Sequence, residues 1–312
     1  MKRMRWILTG SKPERPEGNL TRRQCHGLAA LLLVYMATNC WCLGAPNAEW
    51  KSLFNGKALT GWETFLRPAN PADPNYGLNR DPEKVFTVVT LDGGPVIRVS
   101  GKFMGGLITT DLFENYHLRL DFKWGKKTWP PRVSATPDSG LLYHCAAPTP
   151  DAAYPWPSSI EFNITQHDTG EFWSVEGTMA DAEVVPVGNS AQELAAFKAW
   201  CERNESQGPK LRFHRGGRKE TFRDGGFMPA GDFEKPAGEW NSVELYALGE
   251  RSVHVVNGRV ALILTGLRQK ISGTEVPLTK GRIELQSEGA EIFFRNIRIR
   301  SIEQIPPELL SQ

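Results

Sequence analysis

The dipeptide Asn257-Gly258 constrains this chain more tightly than any other pair of residues, because it separates two apolar runs, Val253-His254-Val255-Val256 and Arg259-Val260-Ala261-Leu262. A two-residue type I′ turn needs positive φ at both central positions, which Asn and Gly tolerate, and its twist matches that of the strands it joins. The stretch is therefore committed to a β-hairpin. Similar punctuation recurs from Trp50 onward. Short strand-like runs at 85–90, 96–100, 106–109, 117–123, 140–144, 160–165, 242–248, 252–256, 259–264, 282–286 and 292–300 are mostly separated by Gly and Pro turn signals. That spacing predicts an all-β sandwich of antiparallel sheets.

One segment breaks the pattern. Ser190-Ala191-Gln192-Glu193 is a capping box, and Leu194 to Cys201 carries helix formers with an apolar stripe. A short helix is expected there, inside an insertion spanning 189–235. The stretch from Asn204 to Glu234 is rich in Gly, Arg and polar residues and reads as a long loop. Proline-rich stretches at 129–137 and 148–157, the second with Tyr154 and Trp156, bracket the strand at 140–144 and could wall a pocket.

The first 45 residues form a distinct segment: basic positions from Lys2 to Arg23, an apolar run from Gly27 to Met36, then small residues at Gly44-Ala45. This predicts a secretory signal peptide, or an uncleaved N-terminal membrane anchor, with Arg22-Arg23 admitting a twin-arginine route. Residues 46–312 then form one exported domain, periplasmic or extracellular, touching a membrane only through that leader. No later apolar run is long enough to span a bilayer. With 37 basic and 35 acidic residues, the net charge of +2 supplies no argument for nucleic acid or an anionic surface as partner. Beyond the leader only Cys145 and Cys201 remain, free to pair or to stay as thiols, and no CxxC or HExxH spacing supports zinc.

The chemistry concentrates in Ser159-Ile160-Glu161-Phe162-Asn163-Ile164-Thr165-Gln166, whose alternation puts Glu161 and Asn163 on one face. The runs at 138–145 and 281–289 read the same way, so three polar-edged strands side by side would build a carbohydrate-type groove. Glu161 is the first candidate for general base or metal ligand, and His144, in register beside it, the second. Tyr143, Asn163, Gln166, Glu171, Trp173, Gln286 and Glu288 are the candidates for substrate contact. With Glu284, the last two could also form an oxygen-rich site for a divalent cation, the one cofactor the residues admit. Each has a plainer reading. Glu161 could pair with an arginine, His144 could be a satisfied core or surface histidine, Trp173 could pack in the core, and His167 and Asp168 fit a turn.

Several stretches taken together resemble the 3-keto-disaccharide hydrolase family, which has a concanavalin A-like jelly-roll domain. They run in order through Leu53-Phe54-Asn55-Gly56-Lys57, Leu59-Thr60-Gly61-Trp62, Gly106-Leu107-Ile108, Ser139-Gly140-Leu141-Leu142-Tyr143, Ser159-Ile160-Glu161, Asp168 to Trp173, Gly238-Glu239-Trp240-Asn241, Leu285-Gln286 and Phe294-Arg295-Asn296-Ile297. The resemblance implies cleavage of a glycoside already oxidised to a ketone at carbon 3, which acidifies the proton on carbon 2. A base, an acid for the leaving oxygen and a group stabilising the enolate would be needed. A partner oxidoreductase would supply the ketone. The family pattern has a histidine near position 288, where this chain has Glu288. Related glycoside-hydrolase jelly rolls carry Glu-x-Asp-x-x-Glu where this chain has Glu161-x-Asn163-x-x-Gln166, and two amides in place of carboxylates disfavour ordinary retaining hydrolysis. On the same scaffold, a lectin-like carbohydrate-binding module or a structural, partner-binding domain is the alternative.

Overall fold

The computed structural model describes residues 48–67, 73, 75–147, 155–188, 195, 210–223 and 225–311. The leader expected over 1–45 lies outside them, as does the capped helix at 190–201 apart from Ala195, and with it Cys201. Among the described residues the protein is a sandwich of two sheets, and every paired strand runs antiparallel to its neighbours. The larger sheet has the order Leu211–Phe213, Thr178–Pro186, Arg259–Ile271, Arg251–Val256, Asn241–Leu248, Tyr116–Thr128, Ala290–Ser301, Gly94–Val99 and Phe86–Leu91. The smaller has Gly225–Phe227, Phe172–Val175, Ser159–Thr165, Asp138–Cys145, Lys280–Ser287, Gly105–Thr109, Trp62–Leu66 and Gly77–Leu78. Neighbours distant in sequence, such as Tyr116–Thr128 beside Ala290–Ser301, give the crossed connections of a jelly roll. A short helix, Pro307–Ser311, follows the last strand.

The predicted hairpin is present. Val256 faces Arg259 across the turn, and Asn257 and Gly258 have φ of 49° and 79°, the signs a type I′ turn requires.

Alternation along the strands sends one set of side chains from each sheet into a shared core. Phe122, Val243, Leu245, Leu262 and Phe294 come from the larger sheet, and Leu141, Tyr143, Ile160, Phe162 and Leu285 from the smaller. Each such side chain contributes about 1.5–3 kcal/mol by leaving water. A polar thread crosses this core. The Tyr143 hydroxyl lies 2.7 Å from Ser252 Oγ and 3.1 Å from His254 Nε2, and His254 Nδ1–H donates to the Gly170 carbonyl at 3.0 Å. Burial drives the His254 pKa down to about 3, so the ring is neutral, and Phe162 stacks on it with centroids 4.3 Å apart.

Two expectations are corrected. The stretch read as a loop to Glu234 contains Leu211–Phe213, Arg218–Phe222 and Gly225–Phe227; the first two pair with Thr178–Pro186 and the third with Phe172–Val175. Runs of three to five residues are too short to show period-2 alternation, and their pairing partners lie far off in sequence. The nine-residue strand Thr178–Pro186 also escaped sequence reading, because Ala180, Asp181, Ala182 and Glu183 have little β propensity. It exists because Ala180, Ala182 and Val184 fill the core, so that packing overrides local preference.

Candidate functional site

With Tyr143, Ile160 and Phe162 committed to the core, the pleat sends their strand neighbours to the opposite face of the smaller sheet. The register there places Glu161 across from Leu142 on one side and Trp173 on the other, with Asn163 across from Gly140. Glu284 faces Leu142 and Ile108, and Gln286 faces Gly106. The two glycines make the polar layer possible. A Cβ at Gly140 would collide with Glu161 Oε1 and lie 3.0 Å from Gln286 Oε1, and one at Gly106 would collide with Glu284 Oε1. Their missing side chains are the space into which three polar side chains fold.

Around this layer sits a ring of charge. Arg132, from the proline-rich turn before the strand, donates from Nη2 to both Asp138 Oδ2 and Glu288 Oε1. Thr165 Oγ1 donates to Asp138 Oδ1 at 2.7 Å, and Asn163 Nδ2 to Glu171 Oε2 at 3.0 Å. Trp173 also donates to Glu171 and leaves its ring 41% exposed. Glu161, Asn163, Glu284 and Gln286 are all buried.

Burying acids together raises their proton affinity. The Glu161 carboxyl is held well above its usual range, first by burial and then by the charges of Glu288, Asp138, Glu171 and Glu284. Burial lifts Glu284 to about 8. Glu171 rises to about 7 by burial, eased by the bonds from Trp173 and Asn163. Glu288 rises to about 7 by burial and the Asp138 charge, against the pull of Arg132. Such a cluster can hold or release protons near neutrality, as a general acid or base must.

The same face carries a hydrogen-bonding deficit. Asn163 Oδ1, Glu284 Oε1, Gln286 Oε1 and Arg132 Nε are buried with no partner in the protein. Three are acceptors on the two strands that flank Asp138–Cys145. Buried polar atoms without partners cost about 1–3 kcal/mol each, and acceptors of this kind can be satisfied by hydroxyl donors or by a cation.

Of the residues singled out in the sequence, Glu161, Asn163, Glu171, Trp173, Gln286 and Glu288 come together here. Others do not. His144 has φ of 53° at a register shift, and its ring turns to Tyr143 and to Tyr116 of the other sheet, donating from Nδ1 to the Leu278 carbonyl at 3.1 Å. Buried there, it is lowered to about 4 and stays neutral. The expected position beside Glu161 fails because the shift breaks the alternation on which it depended. Tyr143 points into the core for the opposite reason, since it keeps the pleat. Gln166 lies past the strand and lines a separate cavity of about 370 Å3 with Trp124, His167 and Glu234. Arg132 and Asp138 were missed in the sequence, and nothing local marks them, because Arg132 reaches Glu288 across 156 positions. His167, read as a turn residue, converges with Asp232 and Glu234, their ligating atoms all within 4.8 Å. Hydrogen bonds account for that trio: His167 Nδ1 to Asp232 at 3.0 Å, the His167 amide to Glu234 at 2.6 Å, and Thr169 Oγ1 to Glu234 at 2.9 Å.

A family model described as the 3-keto-alpha-glucoside-1,2-lyase-like domain matches residues 49–300. No curated protein matches the chain. Solved structures similar to it include a candidate glycosyl hydrolase from Parabacteroides distasonis, with TM-score 0.46 and 18% identity, covering 81% of this chain and 94% of that one. A second candidate glycosyl hydrolase from the same organism has TM-score 0.43 and 22% identity over 81% of this chain and 100% of that one. A carbohydrate-binding module from Bacillus subtilis has TM-score 0.39 and 13% identity over 78% and 96% of the two chains.

Proposed function

Because the chain belongs to the 3-keto-α-glucoside-1,2-lyase-like family, we propose that it is an exported enzyme that cleaves 3-keto-glycosides, 3-keto-disaccharides among them, at the anomeric bond. The observation that carries this reading is Glu161, a proton-accepting group held high in its range and set among three buried oxygens that lack donors. Sugar hydroxyls are the donors those oxygens lack. Trp173, exposed and one strand away from Glu161, offers a flat surface for a sugar ring.

The ionised Glu161 carboxylate takes the proton from carbon 2, and the electrons of that C–H bond pass to the carbon 3 ketone as an enolate. Arg132, the cation of the cluster and within electrostatic reach of Glu161, stabilises that charge through its unpartnered Nε–H. Collapse of the enolate breaks the bond from carbon 1 to the leaving oxygen, which takes a proton from Glu171 or Glu288, both near 7. Water then adds across the new C1–C2 double bond and completes a net hydrolysis. The same oxygens would suit a divalent cation of the oxygen-preferring kind. An oxidation at carbon 3 must precede this reaction, so a partner oxidoreductase is part of the proposal, as is export by the leader.

The test is incubation of the purified domain with 3-keto-trehalose and with trehalose, with and without chelator, following released sugar by mass spectrometry. Cleavage of the ketone alone, lost in Glu161→Gln, supports the reading, and loss on chelation adds the cation. Binding of either sugar without turnover overturns the enzyme in favour of a carbohydrate-binding module.

A further inference from the structure

The outer face of the larger sheet carries a feature unrelated to Glu161. Leu118, Leu120 and Phe122 fill the core, so His117, Arg119 and Asp121 point the other way, as do Arg298 and Arg300 on either side of the core residue Ile299. The register then places Arg298 directly opposite Arg119. Like charges facing each other across an antiparallel pair destabilise it. Both side chains are half-buried, where salt screens them less than at an open surface.

Neither arginine forms an ion pair among the described residues, and the carboxylates nearest to them are committed elsewhere. Asp121 Oδ2 accepts from Asn296 Nδ2 at 2.7 Å and Arg295 Nε at 3.3 Å. Glu244, the other cross-strand neighbour of Arg119, accepts from His117 Nε2 at 2.7 Å and the Tyr246 hydroxyl at 3.3 Å. Arg298 and Arg300 both rest on the Trp50 ring, at 4.8 and 4.7 Å, which holds their guanidinium groups in place. Their Nε atoms are buried without acceptors. Arg119, Arg298, Trp50 and Asn296 line a cavity of about 440 Å3, together with Ser52 and the Asp121 carboxylate already held by Asn296 and Arg295.

We propose that this cavity is an oxyanion site, in which a carboxylate, sulfate or phosphate group bridges Arg119 and Arg298. Two planar guanidinium forks facing one space match the paired oxygens of such a group. The bound charge would turn a repulsive pair into a shared clamp. The site stands on the far sheet and does not depend on the proposed lyase chemistry.

Calorimetric titration of the protein with sodium phosphate, sodium sulfate and sodium glucuronate, at ionic strength fixed with chloride, tests the proposal. One saturable site is expected for at least one of the three. Arg119→Gln and Arg298→Gln should each weaken it roughly tenfold or more, the loss of a charge-assisted bond. Saturation by phosphate or sulfate identifies a free ion, and saturation by glucuronate alone identifies an acidic sugar. Thermal unfolding in dilute chloride supplies the second readout, where either substitution should leave Tm unchanged or raise it by relieving the repulsion. Heats no different from chloride for all three salts overturn the site, as do variants that bind as tightly as the parent.

Discussion

Asn163 donates through Nδ2 to Glu171 Oε2 at 3.0 Å, and that one bond fixes the amide so that its Oδ1 faces the buried layer without a donor. The carboxylate of Glu171 thus orients the amide, and the amide helps hold Glu171 near 7 rather than higher. Replacing Asn163 with Asp would set two acids face to face and break both effects. We expect Asn163→Asp to raise KM for a 3-keto-glycoside and to push the Glu171 transition upward, read from the pH profile of kcat/KM. Asn163→Ala, which removes the bond but adds no charge, should raise KM with a smaller upward displacement.

Stability should fall as pH rises past neutrality. Glu284 and Glu171, at about 8 and about 7, lie above their unfolded values, so the folded state binds more protons than the unfolded chain. Their contribution is full below the ordinary carboxylate range and is lost as pH climbs through the folded values, at about 1.4 kcal/mol per pKa unit. His144 and His254 act the other way, being lowered to about 4 and about 3, but their effect is complete by the ordinary histidine value. Between roughly pH 6.5 and 8.5, above the histidine range, the acids therefore dominate. The urea midpoint should drop over that window, and Glu284→Gln should flatten the drop. An unchanged slope in the variant would remove Glu284 from the account.

Gly140→Ala and Gly106→Ala should injure the site more than the fold. Neither glycine has positive φ, so the cost comes from the collision of the new Cβ with Glu161 and Glu284. Overpacking of this kind costs about 1–3 kcal/mol, which thermal unfolding would register, while released sugar should fall far more steeply than Tm.

Tyr143→Phe separates core from site. It leaves His254 Nε2 without its donor, for a loss of about 1–3 kcal/mol by chemical denaturation. Catalysis in the folded fraction should be unaffected. A collapse of kcat with full stability would return Tyr143 to the substrate side, where its sequence neighbours had suggested it.

Trp173→Ala should do the reverse. Its ring is 41% exposed, so Tm should barely move, while KM rises roughly threefold to tenfold, the worth of one aromatic contact.

The hairpin at Asn257-Gly258, the all-β architecture and the pairing of Glu161 with Asn163 on one face were legible in the residues themselves. Each follows from local rules: turn geometry demands particular residues, and a strand's period of two fixes the side of every residue once one is known. What tertiary structure alone decided follows from contacts between positions far apart. A register shift at His144 carried it away from Glu161, and Arg132 became part of the site only by meeting Glu288, 156 residues away. The raised acids share that origin. A carboxylate's proton affinity depends on which charges and how much water surround it, and for Glu161 the fold sets both by burying it among Glu288, Asp138, Glu171 and Glu284.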